Sequence, residues 1–209
     1  MSQDPLAKQS TQDLPPPMLI GEHPALDFLN SCFTPHGEPI DLIGTGPALL
    51  NWLKESAVAP DARVCAEGLL ARQLEAAAAN ARALREWFRP VLARWSTEGA
   101  RGVRQADLDK LNTYLAQVEL RQHLCRHDDS FELRAARLAD NPAVITADLA
   151  QACADLLVSL QPGQVRKCEN PACTLWFADT KRGPKRRWCS MAACGNRMKV
   201  AAHRARRHT

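Results

Sequence analysis

Apolar residues recur at intervals of three and four along most of this chain, which is the pattern of helices that bury one face. Thr45 can cap one such helix, with Pro47 in its first turn. A longer helix is predicted from about Asp61, with a kink or an end at Pro90. Its apolar stripe consists of Leu70, Leu74, Ala77, Ala81, Leu84 and Phe88.

Further helices are predicted over residues 107–119 and 142–160, where leucine and valine again keep helical spacing. Between them the pattern changes. Residues 120–126 and 130–138 alternate loosely around the polar sequence His-Asp-Asp, which predicts a β-hairpin with a tight turn. The chain up to Gly163 is therefore expected to form an α+β domain that is mostly helical and carries one small hairpin.

The opening segment, residues 21–31, mixes polar and apolar positions without a clear period. Its His23, Asp27 and Asn30 are candidates for lining a small-molecule pocket. The alternative is that they cap and anchor the first elements of the core. We favour this second interpretation, because no other catalytic constellation accompanies the three residues.

Four cysteines near the C-terminus form two matched pairs, Cys168 with Cys173 and Cys189 with Cys194, each enclosing four residues. Short loops of this kind let two sulfurs converge on one ion, with each Zn–S bond about 2.3 Å long. The spacing predicts one structural zinc ion held by four thiolates. The other cysteines, Cys32, Cys65, Cys125 and Cys153, are scattered singly and are expected to be ordinary buried thiols.

The surroundings of the cysteines predict a local fold. Residues 169–172 form the first knuckle, residues 175–177 a short strand, residues 181–187 a basic turn, and Trp188 a returning strand. Ser190 can then cap a helix that runs towards Arg206. A knuckle, a hairpin and a helix that carries the last ligand resemble a treble-clef zinc finger.

Charge divides the chain at about the same place. Residues 163–209 carry twelve Lys and Arg against two acids, a net formal charge of +10, whereas the preceding residues have a net charge of −6. A small basic module beside an acidic body is typical of proteins that bind nucleic acid, since phosphate neutralisation supplies most of their affinity.

Residues 1–17 are polar and end in three prolines, which predicts a flexible tail. They lack the basic and apolar regions of a secretory signal, and no apolar run in the sequence reaches the roughly 20 residues that cross a bilayer. A cytoplasmic protein is the expectation.

The finger resembles a known family. Residues 194–197 read Cys-Gly-Asn-Arg, the signature of CGNR zinc fingers, and residues 187–191, Phe177 and Asp179 are also similar to that family. Residues 21–30 resemble the start of the ABATE domain, which usually precedes this finger and is described as a stress-induced transcription regulator. The resemblance implies DNA binding by the finger and transcriptional control, in a stress response, by the whole chain.

The expected organisation is a tail over residues 1–17, an ABATE-like domain over 18–162 that senses a ligand or dimerises, and a finger over 163–209. One finger offers few base contacts, so we expect a homodimer on duplex DNA and an unidentified small-molecule effector. Asn196 and Arg197 are candidates for reading base edges from the start of the helix. Lys199 and Arg204 are further candidate DNA contacts on the helix. The candidate phosphate contacts lie in the basic turn and are Lys181, Arg182, Lys185, Arg186 and Arg187.

Structural roles are the alternative for the residues of the signature. Asn196 can brace the knuckle, Arg197 can pair with an acid such as Asp179, and Gly195 suits close packing. RNA binding or contact with a protein partner is the alternative to DNA binding. Enzymatic activity is not expected, because four thiolates fill the zinc coordination shell and leave no place for a reactive water.

Overall fold

The computed structural model describes residues 14–35, 37–56, 58–117, 120–137, 141–180 and 185–207. The helices of this part of the chain are α1 (Pro24–Leu29), α2 (Gly46–Glu55), α3 (Pro60–Gly68), α4 (Ala71–Glu98), α5 (Gln105–Leu115), α6 (Ala143–Ser159) and α7 (Asn196–Arg207). Three antiparallel strand pairs join them, β1 (Cys32–Phe33) with β2 (Ile40–Asp41), β3 (Leu120–His127) with β4 (Ser130–Arg137), and β5 (Val165–Lys167) with β6 (Trp176–Ala178). The α+β class, mostly helical with small hairpins, is confirmed.

Several sequence predictions are confirmed in detail. The hydroxyl of Thr45 accepts a hydrogen bond from the Ala48 N–H and caps α2, with Pro47 in the first turn. Helix α6 matches the segment predicted over residues 142–160. The β3–β4 hairpin turns at Asp128 and Asp129, and Asp128 has a positive φ of 51°, which aspartate tolerates better than most residues.

The long helix predicted from Asp61 is two helices. Helix α3 ends at Gly68, and the extended backbone of Leu69 and Leu70 leads into α4. Leu70 is 61% exposed, so it does not belong to the buried stripe that begins at Leu74. Apolar spacing alone could not reveal this break, because the two helices keep the same period on either side of it.

Pro90 does not end α4, which continues for two more turns to Glu98. A proline removes the hydrogen bond to the carbonyl four residues earlier, here that of Glu86. Pro90 and the side chain of Glu86 lie on the exposed side of the helix. Water can therefore reach the carbonyl that the proline leaves without its helical partner.

A buried ion pair lies inside the helical domain. The guanidinium of Arg85 donates to both carboxylate oxygens of Asp41, at 2.8 and 2.7 Å, and also to the hydroxyl of Ser31. The two side chains are 2% and 1% exposed. Burial alone would lower the pKa of Arg85, but its hydrogen bonds and charge interaction with Asp41 reverse this and raise it. The pair fastens α4 to the β1–β2 hairpin.

The zinc-finger segment packs against the helical domain and shares its core. Phe177 and Ala178 of β6 are fully buried, and Val165 of β5 is nearly so. The Ala178 N–H donates to the carbonyl of Gly21 at 2.7 Å, which joins β6 to the chain just before α1. The two parts of the sequence thus form one continuous apolar core.

Residues 1–13 of the predicted tail lie outside the described part of the chain, but residues 14–17 do not behave as a tail. Leu14 packs against the core, and Leu14, Pro15 and Pro17 border a small cleft with Trp52 of α2. Among the described helices, none has the length and hydropathy needed to cross a membrane.

Candidate metal centre and nucleic-acid interface

The four cysteines predicted as zinc ligands converge on one point. The sulfurs of Cys168, Cys173, Cys189 and Cys194 all lie within 4.8 Å of one another, and those of Cys173 and Cys189 are 3.7 Å apart. Four ligands at Zn–S distances of about 2.3 Å in a tetrahedron have sulfurs about 3.8 Å apart. The spacing, the thiolate ligand set and the burial of the site therefore fit one structural zinc ion.

The first pair of cysteines is set by a knuckle between β5 and β6. The Cys168 N–H donates to the carbonyl of Leu175, and the Cys173 N–H donates to the carbonyl of Asn170, at 2.9 and 2.8 Å. The side chain of Asn170 accepts a further hydrogen bond from the Ala172 N–H, which closes an Asx turn. This turn brings the second sulfur of the pair back towards the first.

The second pair is set by the start of the C-terminal helix. Ser190 caps a single π-helical turn, Met191–Gly195, through its hydroxyl, and its carbonyl accepts from the N–H groups of Cys194 and Gly195. The turn continues directly into α7, as the sequence predicts. A Cβ at Gly195 would displace the flexible Met191 side chain and come within 3.3 Å of the Trp188 ring, so a glycine suits the close packing of this turn.

Hydrogen-bond donors surround the sulfurs. The side-chain amide of Asn170 donates to the Cys194 sulfur at 3.3 Å, and the Cys189 N–H donates to the Cys168 sulfur at 3.4 Å. Such donors stabilise thiolates and orient them towards the metal. This role of the Asn170 side chain was not predicted from the sequence, although an asparagine between two ligand cysteines indicates a possible donor to the sulfurs.

The thiols are also electrostatically coupled. A hydrogen bond from Cys189 lowers the pKa of Cys173 to about 5, whereas donating that hydrogen bond and being buried raise the pKa of Cys189. Cys173 therefore loses its proton readily, and Cys189 does not. A divalent cation resolves this, because it stabilises all four thiolates together.

The predicted pairing of residues 175–177 with a strand at Trp188 is wrong. The partner of β6 is β5, which precedes the first cysteine, and Trp188 lies in a bend. The β5–β6 hairpin therefore encloses the first knuckle instead of linking the two cysteine pairs. Strand β5 could not be detected from its apolar period, since a strand of three residues is too short to show one.

Arg186 is bound within the protein. Its guanidinium stacks over the ring of Phe177, with 4.3 Å between the guanidinium carbon and the ring centroid, and is 28% exposed. It donates to the Glu22 carboxylate at 2.7 Å, to the Trp188 carbonyl at 2.9 Å and to the Cys189 carbonyl. A guanidinium with these partners clamps the second knuckle to the helical domain, and it has little capacity left for phosphate.

The other basic residues of the predicted turn differ among themselves. Arg187 is 61% exposed and pairs with Glu169 at 2.6 Å while lying over the Trp188 ring. Lys185 is exposed. Lys181 and Arg182 lie outside the described residues. Asp179 accepts from the N–H of Arg186, so it does not take the pairing with Arg197 that the sequence suggested.

Helix α7 presents about half of the predicted DNA-contacting residues. Asn196, Arg197, Lys199 and Arg204 are all exposed, and the twelve residues of the helix include no acid. Arg197 donates to the carbonyl of Pro35 at 3.4 Å and lines a cleft together with three of the ligand cysteines. The start of α7 is therefore near the helical domain, whereas its later turns have solvent on nearly every side.

The three candidate pocket residues serve the local fold. The His23 ring accepts from the Ala25 N–H as the cap of α1, and Asp27 accepts from the Gly21 N–H at 2.8 Å. Asn30 forms a pair of hydrogen bonds, 2.8 and 2.9 Å long, with the backbone carbonyl and N–H of Trp176 in β6. None of the three lines the cleft beside the cysteine cluster or the small cleft beside Trp52.

Burial shifts the pKa of two of these residues towards their neutral forms. It raises the pKa of Asp27 against the effect of its backbone hydrogen bonds, and it lowers the pKa of His23. These shifts have a structural cause in the packing around α1. They agree with the capping and anchoring roles that the sequence favoured.

Comparison with known families matches both parts of the chain. Residues 22–160 match the ABATE family, described as a putative stress-induced transcription regulator, and residues 164–207 match the CGNR zinc finger. Neither description is that of an enzyme. No curated protein matches the chain. The four converging cysteines complete the zinc site that a CGNR finger needs, and the chain belongs to the ABATE family, followed by a CGNR zinc finger.

Proposed function

We propose that this regulator-family protein binds duplex DNA directly, with α7 in the major groove. The main support for this proposal is the charge and the packing of α7. The helix is basic, has no acidic residue, and among the described elements packs closely only against the π-helical turn before it. Such a helix gains little from packing, and its cations repel one another. A polyanion would relieve this repulsion.

The dimensions of α7 suit a groove. Twelve residues make a helix about 18 Å long, which spans about five base pairs. The major groove is about 12 Å wide and admits a helix. The helix begins at a zinc knuckle that is itself anchored to the helical domain, so its start is held in place while its exposed face, from Asn196 and Arg197 onwards, can enter the groove.

We divide the contacts between two roles. Lys199, Arg204 and Lys185 are exposed, form no ion pair with an acid among the described residues, and are placed on phosphates. Asn196 and Arg197 are placed on base edges. Arg186 is assigned to holding the finger in place, and Arg187 to a phosphate contact that competes with its pairing to Glu169.

The test is selection of the zinc-loaded, full-length protein against a random duplex DNA pool, followed by binding assays over a series of salt concentrations. The wild type should enrich a motif. Lys199→Ala should weaken every duplex to a similar extent and reduce the salt slope by about one. Arg197→Ala should instead flatten the preference among sequences. Arg72→Ala, which removes an exposed arginine from α4, is the matched control and should change neither.

Arg197 also contacts Pro35, so its loss could act through the fold. The Arg197→Lys variant separates the two effects, because lysine keeps the charge but cannot bond a guanine edge bidentately. A normal melting temperature with a lost sequence preference supports base reading. Equal losses on all sequences for Arg197→Ala and Lys199→Ala would refute the division of roles. Preference for structured RNA over duplex DNA would replace the proposed partner.

We place residues 18–162 as the part that senses an effector or dimerises and residues 163–209 as the part that docks. A homodimer is part of this proposal, because two fingers related by a two-fold axis would contact two half-sites and multiply the discrimination of one.

A further inference from the structure

The β3–β4 hairpin carries an uncovered apolar face. Opposite residues in an antiparallel pair share a face, so the register places Leu124, Leu133 and Phe131 together, with Leu124 directly opposite Leu133. These side chains are 69%, 60% and 65% exposed. Arg126 extends over the ring of Phe131, with 5.1 Å between its guanidinium carbon and the ring centroid. Three large apolar side chains thus form one contiguous exposed patch.

Nothing else in the described part of the chain supports this hairpin. Neither strand packs extensively against any described element other than its partner strand. A two-stranded hairpin on its own is at best marginally stable in water, and its strands need another layer to cover an apolar face. The eight-residue length of each strand is long for such an unsupported element. A layer from outside the described chain would cover this face.

We infer that the missing layer is the same hairpin of a second copy, packed face to face about a two-fold axis that crosses the strands at the Leu124–Leu133 pair. This deepens the homodimer of the proposed function by naming its interface, although the contact itself does not depend on DNA. The interface is self-complementary: an apolar pair at the axis meets its own copy, as a two-fold interface requires.

Charge favours the arrangement in which the two hairpins point in opposite directions. The turn carries Asp128 and Asp129, and the far end of the hairpin pairs Leu120 with Arg137 in the register. When the strands of the two copies run in opposite senses, the acidic turn of each lies beside the basic end of the other. Arg126 then lies across from the position of Gln122 and away from the partner's Arg126. Hairpins pointing the same way would bring like charges together.

The size of the face sets the strength of the contact. Three side chains exposed to this extent present on the order of 300 Å² of apolar surface, as much as the largest patch on many monomers. Two such faces bury less than the roughly 1,200 Å² of a stable standard interface. We therefore expect a dimer that dissociates on dilution, and that DNA with two half-sites stabilises by raising the effective concentration of its subunits.

Sedimentation equilibrium of the zinc-loaded, full-length protein without DNA tests the inference over a wide concentration series. The wild type should pass from monomer to dimer. Leu124→Thr and Leu133→Thr keep strand propensity while removing apolar surface, and each should raise the dimer dissociation constant roughly tenfold or more. The control is Leu70→Thr, since Leu70 is a leucine of nearly the same exposure, 61%, located between α3 and α4. It should leave the constant unchanged.

Asp129→Lys tests the orientation. In the opposed arrangement it places a cation beside the basic end of the partner and should weaken the dimer, whereas with both hairpins pointing the same way it should strengthen it. Strengthening would overturn the opposed arrangement. A monomer at every concentration, or a dimer that Leu124→Thr and Leu133→Thr leave intact, would overturn the interface.

A second readout keeps this inference separate from DNA binding. Binding of Leu124→Thr to a duplex with a single half-site should match the wild type, because the hairpin is not part of the finger. A dimer without any DNA affinity would refute the proposed function and leave the interface standing. Sequence-specific binding by a strictly monomeric protein would do the reverse. Circular dichroism and zinc content equal to those of the wild type establish that each variant is folded.

Discussion

The helical domain and the zinc finger are each stabilised by different interactions. Phe28, Trp52 and Phe88 of the helical domain are 2% exposed or less, and a buried ion pair lies among its helices. The finger has fewer buried apolar residues, and they pack against the helical domain: Val165, Leu175, Trp176, Phe177, Ala178 and its four cysteines. A segment this short cannot bury enough apolar surface to fold alone. Burial therefore explains the first region, and zinc together with docking explains the second.

Removing zinc should have the largest effect and should act on one region only. Structural zinc contributes about 10–16 kcal/mol to the folding of isolated finger peptides. Chelation, or Cys194→Ser, should therefore abolish hydrogen-exchange protection in β5, β6 and α7 while the amides of α4 and α6 stay protected. Hydrogen exchange read out by mass spectrometry resolves the two regions.

Cys125→Ser is the matched control, because Cys125 lies in the β3–β4 hairpin and outside the zinc cluster. It should keep a full equivalent of zinc and full protection of the finger. If the finger stayed protected after chelation, docking on the helical domain would be sufficient to fold it, and the contrast between the two regions would disappear.

Breaking the buried ion pair should have the largest effect on the helical domain. Arg85→Met leaves the carboxylate of Asp41 buried without its guanidinium, and such a change costs about 3–5 kcal/mol. The melting temperature of the zinc-loaded protein should fall by many degrees. Arg72→Met, an exposed arginine of the same helix, should leave it nearly unchanged.

The double variant Arg85→Met with Asp41→Leu sharpens this prediction. It removes both charges, so no uncompensated charge stays in the core, and it should recover much of the stability that the single variant loses. A double variant as unstable as Arg85→Met would show that the hydrogen bonds of the pair to neighbouring groups such as Ser31 matter more than its charges.

In each of the two regions, some features could be predicted from the sequence and others could not. Helical period and capping residues place α2 and α6, and cysteine spacing places the zinc ligands, because each signal is local. The break between α3 and α4 leaves the period unchanged, and the pairing of β5 with β6 joins short segments without any period. Local patterns therefore identify elements better than they identify partners.

Long-range polar contacts were the least predictable. The run of basic residues near Arg186 suggests a phosphate-binding turn, but Glu22 and Phe177, which are distant in sequence, turn this arginine into an internal clamp. Asn30 was singled out as a candidate pocket residue, and its partner is Trp176. In both cases the residue type was informative, and only the tertiary fold could supply the partner.

The hydrogen bonds between Asn30 and Trp176 join the helical domain to the finger, and they offer a test of whether the two regions fold together. Asn30→Ala leaves the N–H and the carbonyl of Trp176 buried without partners, which costs about 1–3 kcal/mol. Because the finger folds around its metal while docked, part of this cost should appear as weaker zinc binding, by about tenfold. Competition with a chromophoric chelator measures the change.

Asn51→Ala removes an exposed asparagine of α2 whose side chain donates to Glu55 of its own helix and lies away from the finger, and it should leave zinc affinity unchanged. The informative quantity is the difference in zinc affinity between the two variants. An unchanged zinc affinity in Asn30→Ala, together with a lower melting temperature of the helical domain, would show that the two regions fold independently across their shared core.

The smallest effect is expected at the start of α5, where the free energy of unfolding should depend on pH in the acidic range. Asp107 accepts hydrogen bonds from the guanidinium and the N–H of Arg104 and from Arg94. Those from the Arg104 guanidinium contribute most to lowering the pKa of Asp107 well below its ordinary value of 3.8, despite burial. A capping interaction of this kind is worth about 1 kcal/mol.

A carboxyl group whose pKa is lower in the folded than in the unfolded protein stabilises the fold fully above the unfolded value, and this contribution is lost as the pH falls through the folded one. The free energies of unfolding of the wild type and Asp107→Asn should therefore differ by about 1 kcal/mol at neutral pH and converge below pH 3.8. Asp109→Asn, at an exposed position of the same helix, is the control for a general charge effect. A similar acid dependence in both variants would assign the effect to net charge, and the capping role of Asp107 would have to be abandoned.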